Sequence, residues 1–329
     1  MSPLAETLRD QIRREGPISF RRFMDAALYD PVHGYYRRPH DPFGKSGDYY
    51  TAEQLQPVFG ILMAARVRML HEAMGAPPEF AIVELGAGRG EMAEAFSGWR
   101  YIAVDSAAGT LPDRFAGVLF CNEFFDALPV EEVVYRGGGF RQLCVGWQDR
   151  FVWTEGGPAR EEVAAYLQQY FPPPVEGNRY EVNLAAQDWM ERIARALTAG
   201  FVLTIDYGYT RAESARFPRG TLMSYRRHQA REDVLDDPGG QDITAHVCFT
   251  ALQEHGAHLG LETVRFETLA QTLLDAGEAD RFQAALAGSA PAGESARRLQ
   301  LKSLLFGMGE TFRTLIQRAG GEHAGVRTK

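Results

Sequence analysis

The chain is expected to be an α/β protein built on a parallel, doubly wound sheet, and three observations predict it. Short apolar runs suited to buried strands alternate with segments of helical periodicity. One of these runs, Ala81 to Leu85, meets a glycine turn, Gly86-Ala87-Gly88-Arg89-Gly90, before helix-forming residues resume at Glu91. Polar residues then fall near the ends of four separate strands: Glu84, Asp105, Asn122 with Glu123, and Asp206. In open sheets of this kind, ligands gather beyond the C-terminal strand ends.

The elements follow in order. Leu4, Leu8 and Ile12 share one face of a helix over residues 4–15, which Gly16-Pro17 ends. Ser19 is the N-cap of a second short helix, Arg22 to Leu28. Tyr29 to Tyr36 is dense in aromatics and turn formers, and residues 37–53 make a long polar loop containing Gly44, Gly47, Asp48, Tyr49, Tyr50 and Thr51. Loops of this length are more often functional than idle. Tyr49, Tyr50 and Thr51 either close over a ligand or plug the core. Leu55 to Met74 is helical again, and Gly75-Ala76-Pro77-Pro78 forms the hinge into the glycine turn.

Beyond the turn, Tyr101 to Asp105 is a second strand and Ala116 to Cys121 a third, leading into Asn122 to Val130. Residues 131–156, with three consecutive glycines, suggest hairpin strands outside the main sheet. Residues 161–170 and 185–197 are helical, Phe201 to Gly208 is a buried strand, and 209–241 is rich in loops. Ile243 to His255 is expected to be helical with Asp242 as its N-cap. Leu261 to Phe266 is a strand, Leu269 to Leu286 largely helix, and 288–295 a linker. The organisation expected is an N-terminal helical and lid segment, 1–76, and a ligand-binding domain, 77–329, with insertions around 157–198 and 209–258.

Composition narrows the function. With 329 residues the chain has ample length for a buried core, and its net charge of −8 argues against nucleic acid as a partner. Arg226, Arg227 and His228 form only a short basic run, either a solvated surface or a contact for an acidic partner. Cys121, Cys144 and Cys248 are widely separated, and no histidine shows ligand spacing, so neither a metal nor a disulfide is expected. No apolar run reaches the length of a membrane span, and residues 1–14 resemble no signal or transit peptide, which makes a cytoplasmic setting the default.

The carboxylate two positions before Gly86 would be of little use to a phosphate, but it suits an amino group or a positive charge. The ligand expected is therefore a nucleoside with cationic character. A nicotinamide fingerprint needs glycines at the first, third and sixth positions. Counting from Gly86, the sixth is Glu91, and a glycine stands fifth instead, at Gly90. Asp105 suits a neutral ribose under either ligand and does not discriminate. A plain tight strand–helix turn is the bland alternative.

The run from Glu84 to Gly90, E-x-G-x-G-x-G, resembles motif I of class I S-adenosylmethionine methyltransferases. The resemblance implies that the turn passes under the methionine portion of the cofactor, that Glu84 helps to orient it, and that Asp105 accepts hydrogen bonds from the ribose. The implied cofactor set is Glu84, Gly86, Gly88, Gly90, Asp105, Ser106 and Asn122, with Tyr50 and Thr51 from the loop.

A closer resemblance spans most of the chain. It is carried by Leu28-Tyr29-Asp30-Pro31, Gly34-Tyr35-Tyr36, Phe43 to Ala52, Glu84 to Gly90, Asn122 to Val130, Asp206-Tyr207-Gly208-Tyr209, Gly220-Thr221-Leu222, Asp237-Pro238-Gly239, Gln241 to Val247 and Met308 to Phe312. These segments resemble the MidA family, which includes mitochondrial methyltransferases that help to assemble respiratory complex I. The resemblance implies a Rossmann-like class I sheet with an N-terminal helical segment and helical insertions. For the mitochondrial members it implies symmetric dimethylation of an arginine on a partner protein. Two departures stand out: acids usual in the family are replaced by Gln54 and Ile61, and the stretch from Asp105 to Ala116 is short.

Methyl transfer is an in-line displacement, so the enzyme aligns its reactants and excludes water. If the nucleophile is a guanidinium nitrogen, nearby carboxylates would hold it and disperse its charge. The residues expected to do so are Glu123 and, behind it, Asp126, with Asn122 shaping the cofactor edge. In the bland reading Asp126 caps a helix and Glu123 is a solvated loop acid. His246 is expected on a helix face in an insertion, not as a general base. The function expected is an S-adenosylmethionine-dependent methyltransferase acting on a protein side chain. A small-molecule methyltransferase and a non-catalytic assembly factor that keeps the cofactor pocket are the alternatives.

Overall fold

A computed structural model describes residues 1–38, 52–105, 109–226, 229–288 and 291–320. Tyr50, Thr51 and Ser106, together with the lid residue Tyr49 and the basic residues Arg227 and His228, lie outside the described residues. The backbone forms two compact units. One gathers the described residues of Met1–Tyr50, Phe125–Asp188 and Tyr209–Thr250, the other those of Thr51–Phe124, Trp189–Gly208 and Ala251–Lys329. The helix Val58–Ala73 belongs to the second of these.

The second unit is organised on six strands: β1 (Ala81–Leu85), β2 (Arg100–Val104), β3 (Phe115–Asn122), β4 (Leu197–Tyr209), β5 (Leu261–Thr268) and β6 (Phe312–Ala319), in the spatial order β5-β6-β4-β3-β1-β2. From β2 to β4 the neighbours are parallel, but β6 runs antiparallel to both β4 and β5. The sheet is therefore mixed, not parallel throughout. The chain reaches β6 only after β5 and several helices, and β6 then lies between β5 and β4, antiparallel to both; antiparallel strands at the edge of a parallel sheet are common. All five residues of β1 are buried, as expected of a central strand covered on both faces.

Register decides where the polar strand ends lie. Leu85 sits level with Val104 and Cys121, and Asn122 lies opposite Ile205. The residues that follow these positions, Gly86, Asp105 and Glu123, therefore emerge at one edge of the sheet. The chain passes from β1 to β2 on one side and then to β3 on the other, so the strand order reverses at β1. This is where open α/β sheets bind ligands.

The core beneath that edge comes from the apolar positions of Val58–Ala73. Val58, Phe59, Leu62, Met63 and Val67 belong to one buried cluster with Phe96, Val118, Phe120, Leu203 and Ile205. Burying each of the larger side chains contributes about 1.5–3 kcal/mol. The helix Leu269–Glu278 joins the same cluster, and its N-cap, Thr268, accepts a hydrogen bond from the Gln271 amide at 3.2 Å.

In the first unit, helices Pro3–Glu15 and Phe20–Tyr29 start at the N-caps Ser2 and Ser19, and Leu4, Leu8 and Ile12 are buried together as the spacing predicts. Residues 131–156 do make hairpin strands, but within an antiparallel sheet of their own that includes Ile18–Ser19 and Arg179–Val182. Glu132 faces Glu181 across this sheet, both buried, and the Arg179 guanidinium reaches Glu132 at 2.7 Å while lying over Trp153.

Three local expectations fail. Residues 91–98 form successive turns, not a helix. Residues 242–248 hold the short strands Asp242–Thr244 and Val247–Cys248, so Asp242 caps no helix and the helix begins only at Phe249. Ile243 and Thr244 are β-branched and find a partner strand in Met223–Arg226. The segment read as a linker starts the helix Pro291–Ser303, with proline at its first position, where the missing N–H costs nothing.

Candidate functional site

The glycine turn takes its shape from backbone that side chains resist. Gly86, Gly88 and Gly90 have φ of 72°, 51° and 76°. A Cβ on Gly86 would also stand 3.2 Å from the Phe124 ring, which packs edge-on against Trp189. The Gly86 amide donates to Val104 at 2.9 Å, and the Gly88 amide donates to the Asp105 carboxylate at 3.1 Å. Asp105 thus ties the turn to the end of β2, a role that the ribose reading did not include. Without a following helix, no helix dipole acts on the turn. The Gly90 and Ala93 amides close tight turns on Ala87 and Gly90 instead.

Beneath the turn lies Glu84, fully buried. It accepts a 2.5 Å hydrogen bond from the Tyr101 hydroxyl. A second buried acid, Glu53 in the turn Ala52–Gln54, interacts electrostatically with it. Burial is the first cause of the shift at both: it raises Glu84 to about 7 and pushes Glu53 well above the ordinary carboxylate range. The charges of Glu84, Glu123 and Glu91 raise Glu53 further, while the Tyr101 hydrogen bond to Glu84 partly offsets its burial.

At the end of β3, Glu123 holds a left-handed backbone with φ 51°. Its amide donates to the Ile205 carbonyl at 2.9 Å, and its Oε1 accepts from the Ala52 amide at 3.3 Å and from Asn122 Nδ2 at 3.2 Å. A non-glycine residue in this region costs about 1–3 kcal/mol and persists only where its surroundings impose it. Those three hydrogen bonds are what impose it here. Glu123 is therefore a fixed carboxylate, not a freely solvated loop acid. Asp206 is buried, and its own carboxylate accepts from the Tyr207 amide at 2.9 Å.

The second unit thus brings together Glu84, Gly86, Gly88, Gly90, Asp105, Asn122 and Glu123. Asp126 belongs to the other unit. It is buried, its carbonyl accepts from the Ala245 amide at 2.9 Å, and a turn followed by the strand Glu131–Arg136 comes after it, so it caps no helix. His246 lies between two short strands, not on a helix, and packs edge-on against Phe217. Burial lowers it to about 4, so it is neutral at physiological pH. Cys121 is buried and raised to about 12, first by desolvation, which leaves it no role as a nucleophile. Glu53 and Tyr101 were not singled out in the sequence. An acid beside Gln54 was visible there, but nothing local tied it to Glu84.

A family model described as "Putative S-adenosyl-L-methionine-dependent methyltransferase" matches residues 98–267. A COG1565 superfamily protein from Burkholderia thailandensis, solved with S-adenosyl-homocysteine bound, is 31% identical with a TM-score of 0.85, over 98% of this chain and 93% of that one. Among curated relatives, the mouse mitochondrial protein arginine methyltransferase NDUFAF7 is 26% identical over 88% of this chain and 80% of its own. The Drosophila melanogaster homologue is 26% identical over 75% and 68%.

Proposed function

Because the chain belongs to the MidA-like family of S-adenosylmethionine-dependent methyltransferases, we propose that it transfers the methyl group to an arginine side chain of a partner protein. The observation that carries this reading is Glu123, a carboxylate fixed by Ala52 and Asn122 at the same sheet edge as the glycine turn. A guanidinium is the side chain a fixed carboxylate holds best, through paired N–H donors. The relatives named as protein arginine methyltransferases agree with this acceptor, at about a quarter identity.

The cofactor fits the residues present. A buried acid pair at the foot of the turn suits a ligand carrying an ammonium, and the turn has no side chain at the three glycines. When bound, S-adenosylmethionine supplies a methyl group made electrophilic by its sulfonium. Glu84 and Asp105 would orient it, and Asn122 would shape its edge. Glu123 would hold the guanidinium so that one nitrogen faces the methyl. On methylation the guanidinium nitrogen would give up one proton to solvent, and the Glu123 carboxylate would stabilise the charge that remains on the group.

The test is incubation of the protein with methyl-labelled S-adenosylmethionine and a cell lysate. A discrete labelled protein band that yields methylated arginine on hydrolysis supports the proposal. Label confined to the small-molecule fraction would replace it with a small-molecule methyltransferase.

A further inference from the structure

We propose that the outward face of the helix Pro291–Ser303, with the turn that continues it, docks the acceptor polypeptide, and that the docked segment is apolar and acidic. This deepens the reading of a protein acceptor and rests on it.

Three observations carry the proposal. Leu299 and Phe306 are 66% and 75% exposed, while Leu301, Leu304, Leu305 and Met308 pack inward with the core of the same unit. Seven residues apart, the two exposed side chains stand about two turns from each other on the side turned away from that core. Arg298 and Lys302 are exposed as well. The continuation, Leu304–Met308, is a π-helical turn, a departure from regular helix frequent at functional sites.

This segment also belongs to the sheet edge that holds the site. Gln300 Nε2 donates to the Gln56 carbonyl at 2.7 Å, and the turn Ala52–Gln54 just before Gln56 donates its Ala52 amide to Glu123. Past Gly309–Thr311 the chain enters β6 at Phe312, level with Tyr207 of β4 and edge-on to its ring. An arginine presented to Glu123 therefore comes on a polypeptide that runs over this edge.

Charge selects the occupant. The helix carries Arg297, Arg298 and Lys302 against one acid, Glu294, in a chain of net charge −8. An apolar segment with acids complements such a surface. A second copy of this chain would set the same basic residues against each other about a two-fold axis. A helix lying in a lipid surface needs a full apolar face, and here most of the apolar side chains are turned to the core.

The test is methyl transfer from labelled S-adenosylmethionine to lysate proteins by the full-length chain, with cofactor titration and a thermal melt alongside. Leu299→Ser/Phe306→Ser removes the apolar pair, and Arg298→Glu/Lys302→Glu reverses the charge. Both should melt and bind cofactor like wild type, because all four side chains are exposed. Each should label the wild-type protein band about tenfold less. Concentrating the lysate should restore that label, since capture is weakened and the chemistry is intact, whereas Glu123→Gln should label nothing at any concentration. Full labelling by either variant would overturn the docking surface and leave the proposed function standing. A loss that no lysate concentration restores would overturn it too. Wild type that labels no protein would overturn the proposed function and this inference with it. Binding to anionic lipid vesicles that Leu299→Ser/Phe306→Ser abolishes would replace the docking surface with a membrane contact.

Discussion

Replacing Glu84 by glutamine should stabilise the cofactor-free protein at alkaline pH. Glu84 is raised from 4.5 to about 7, chiefly by burial, with its hydrogen bond to Tyr101 acting the other way. Between those two pH values the folded protein holds a proton that the unfolded chain has lost. Stability therefore falls as pH rises through this window and levels off above it. A shift of this size corresponds to about 3 kcal/mol once the carboxylate is fully charged. Glutamine keeps the shape and a carbonyl for the Tyr101 hydroxyl but carries no charge. Urea denaturation at pH 5 and pH 8 without cofactor reads the effect directly. The gap between Glu84→Gln and wild type should widen in favour of the variant by about 2 to 3 kcal/mol from pH 5 to pH 8. Equal gaps at the two pH values would refute the claim that Glu84 is a buried acid held neutral by its surroundings.

Other perturbations follow from the same geometry. Gly86→Ala, at φ 72° and against Phe124, should cost about 1–3 kcal/mol in a thermal melt and weaken cofactor titration at least tenfold. Arg179→Met leaves Glu132 without the guanidinium that reaches it at 2.7 Å and should cost about 3–5 kcal/mol at pH 7. That loss should shrink in acid, because burial already raises Glu132 well above the usual range and it protonates readily. Cys121 and Cys248 are buried, while Cys144 is partly exposed. A thiol reagent at pH 8 should therefore modify Cys144 first, and all three only in urea; rapid native labelling of Cys121 would contradict its burial.

Much of the site was legible because it depends on local pattern. A five-residue apolar strand followed by three spaced glycines places Glu84 and Gly86 without knowledge of any partner strand. Asp105 and Asn122 follow from the same logic, since each ends an apolar run. The antiparallel return of β6 was not legible: no strand was expected over residues 312–319, and a strand's direction is set by neighbours far away in the chain. Residues 91–98 misled through propensity, a weak guide for so short a segment. Met92 and Phe96 are pinned in the core there, and Ala93, Ser97 and Trp99 close turns three residues back. The Glu53–Glu84 pair was hidden for a different reason. It joins residues far apart in the chain, and both acids are raised only because folding removes them from water.

The most direct test compares wild type with Glu123→Gln in methyl transfer to lysate proteins, alongside cofactor titration of both. The account predicts that wild type labels protein on arginine, while the variant binds S-adenosylmethionine with unchanged affinity and labels nothing. Equal labelling by the two proteins would contradict it.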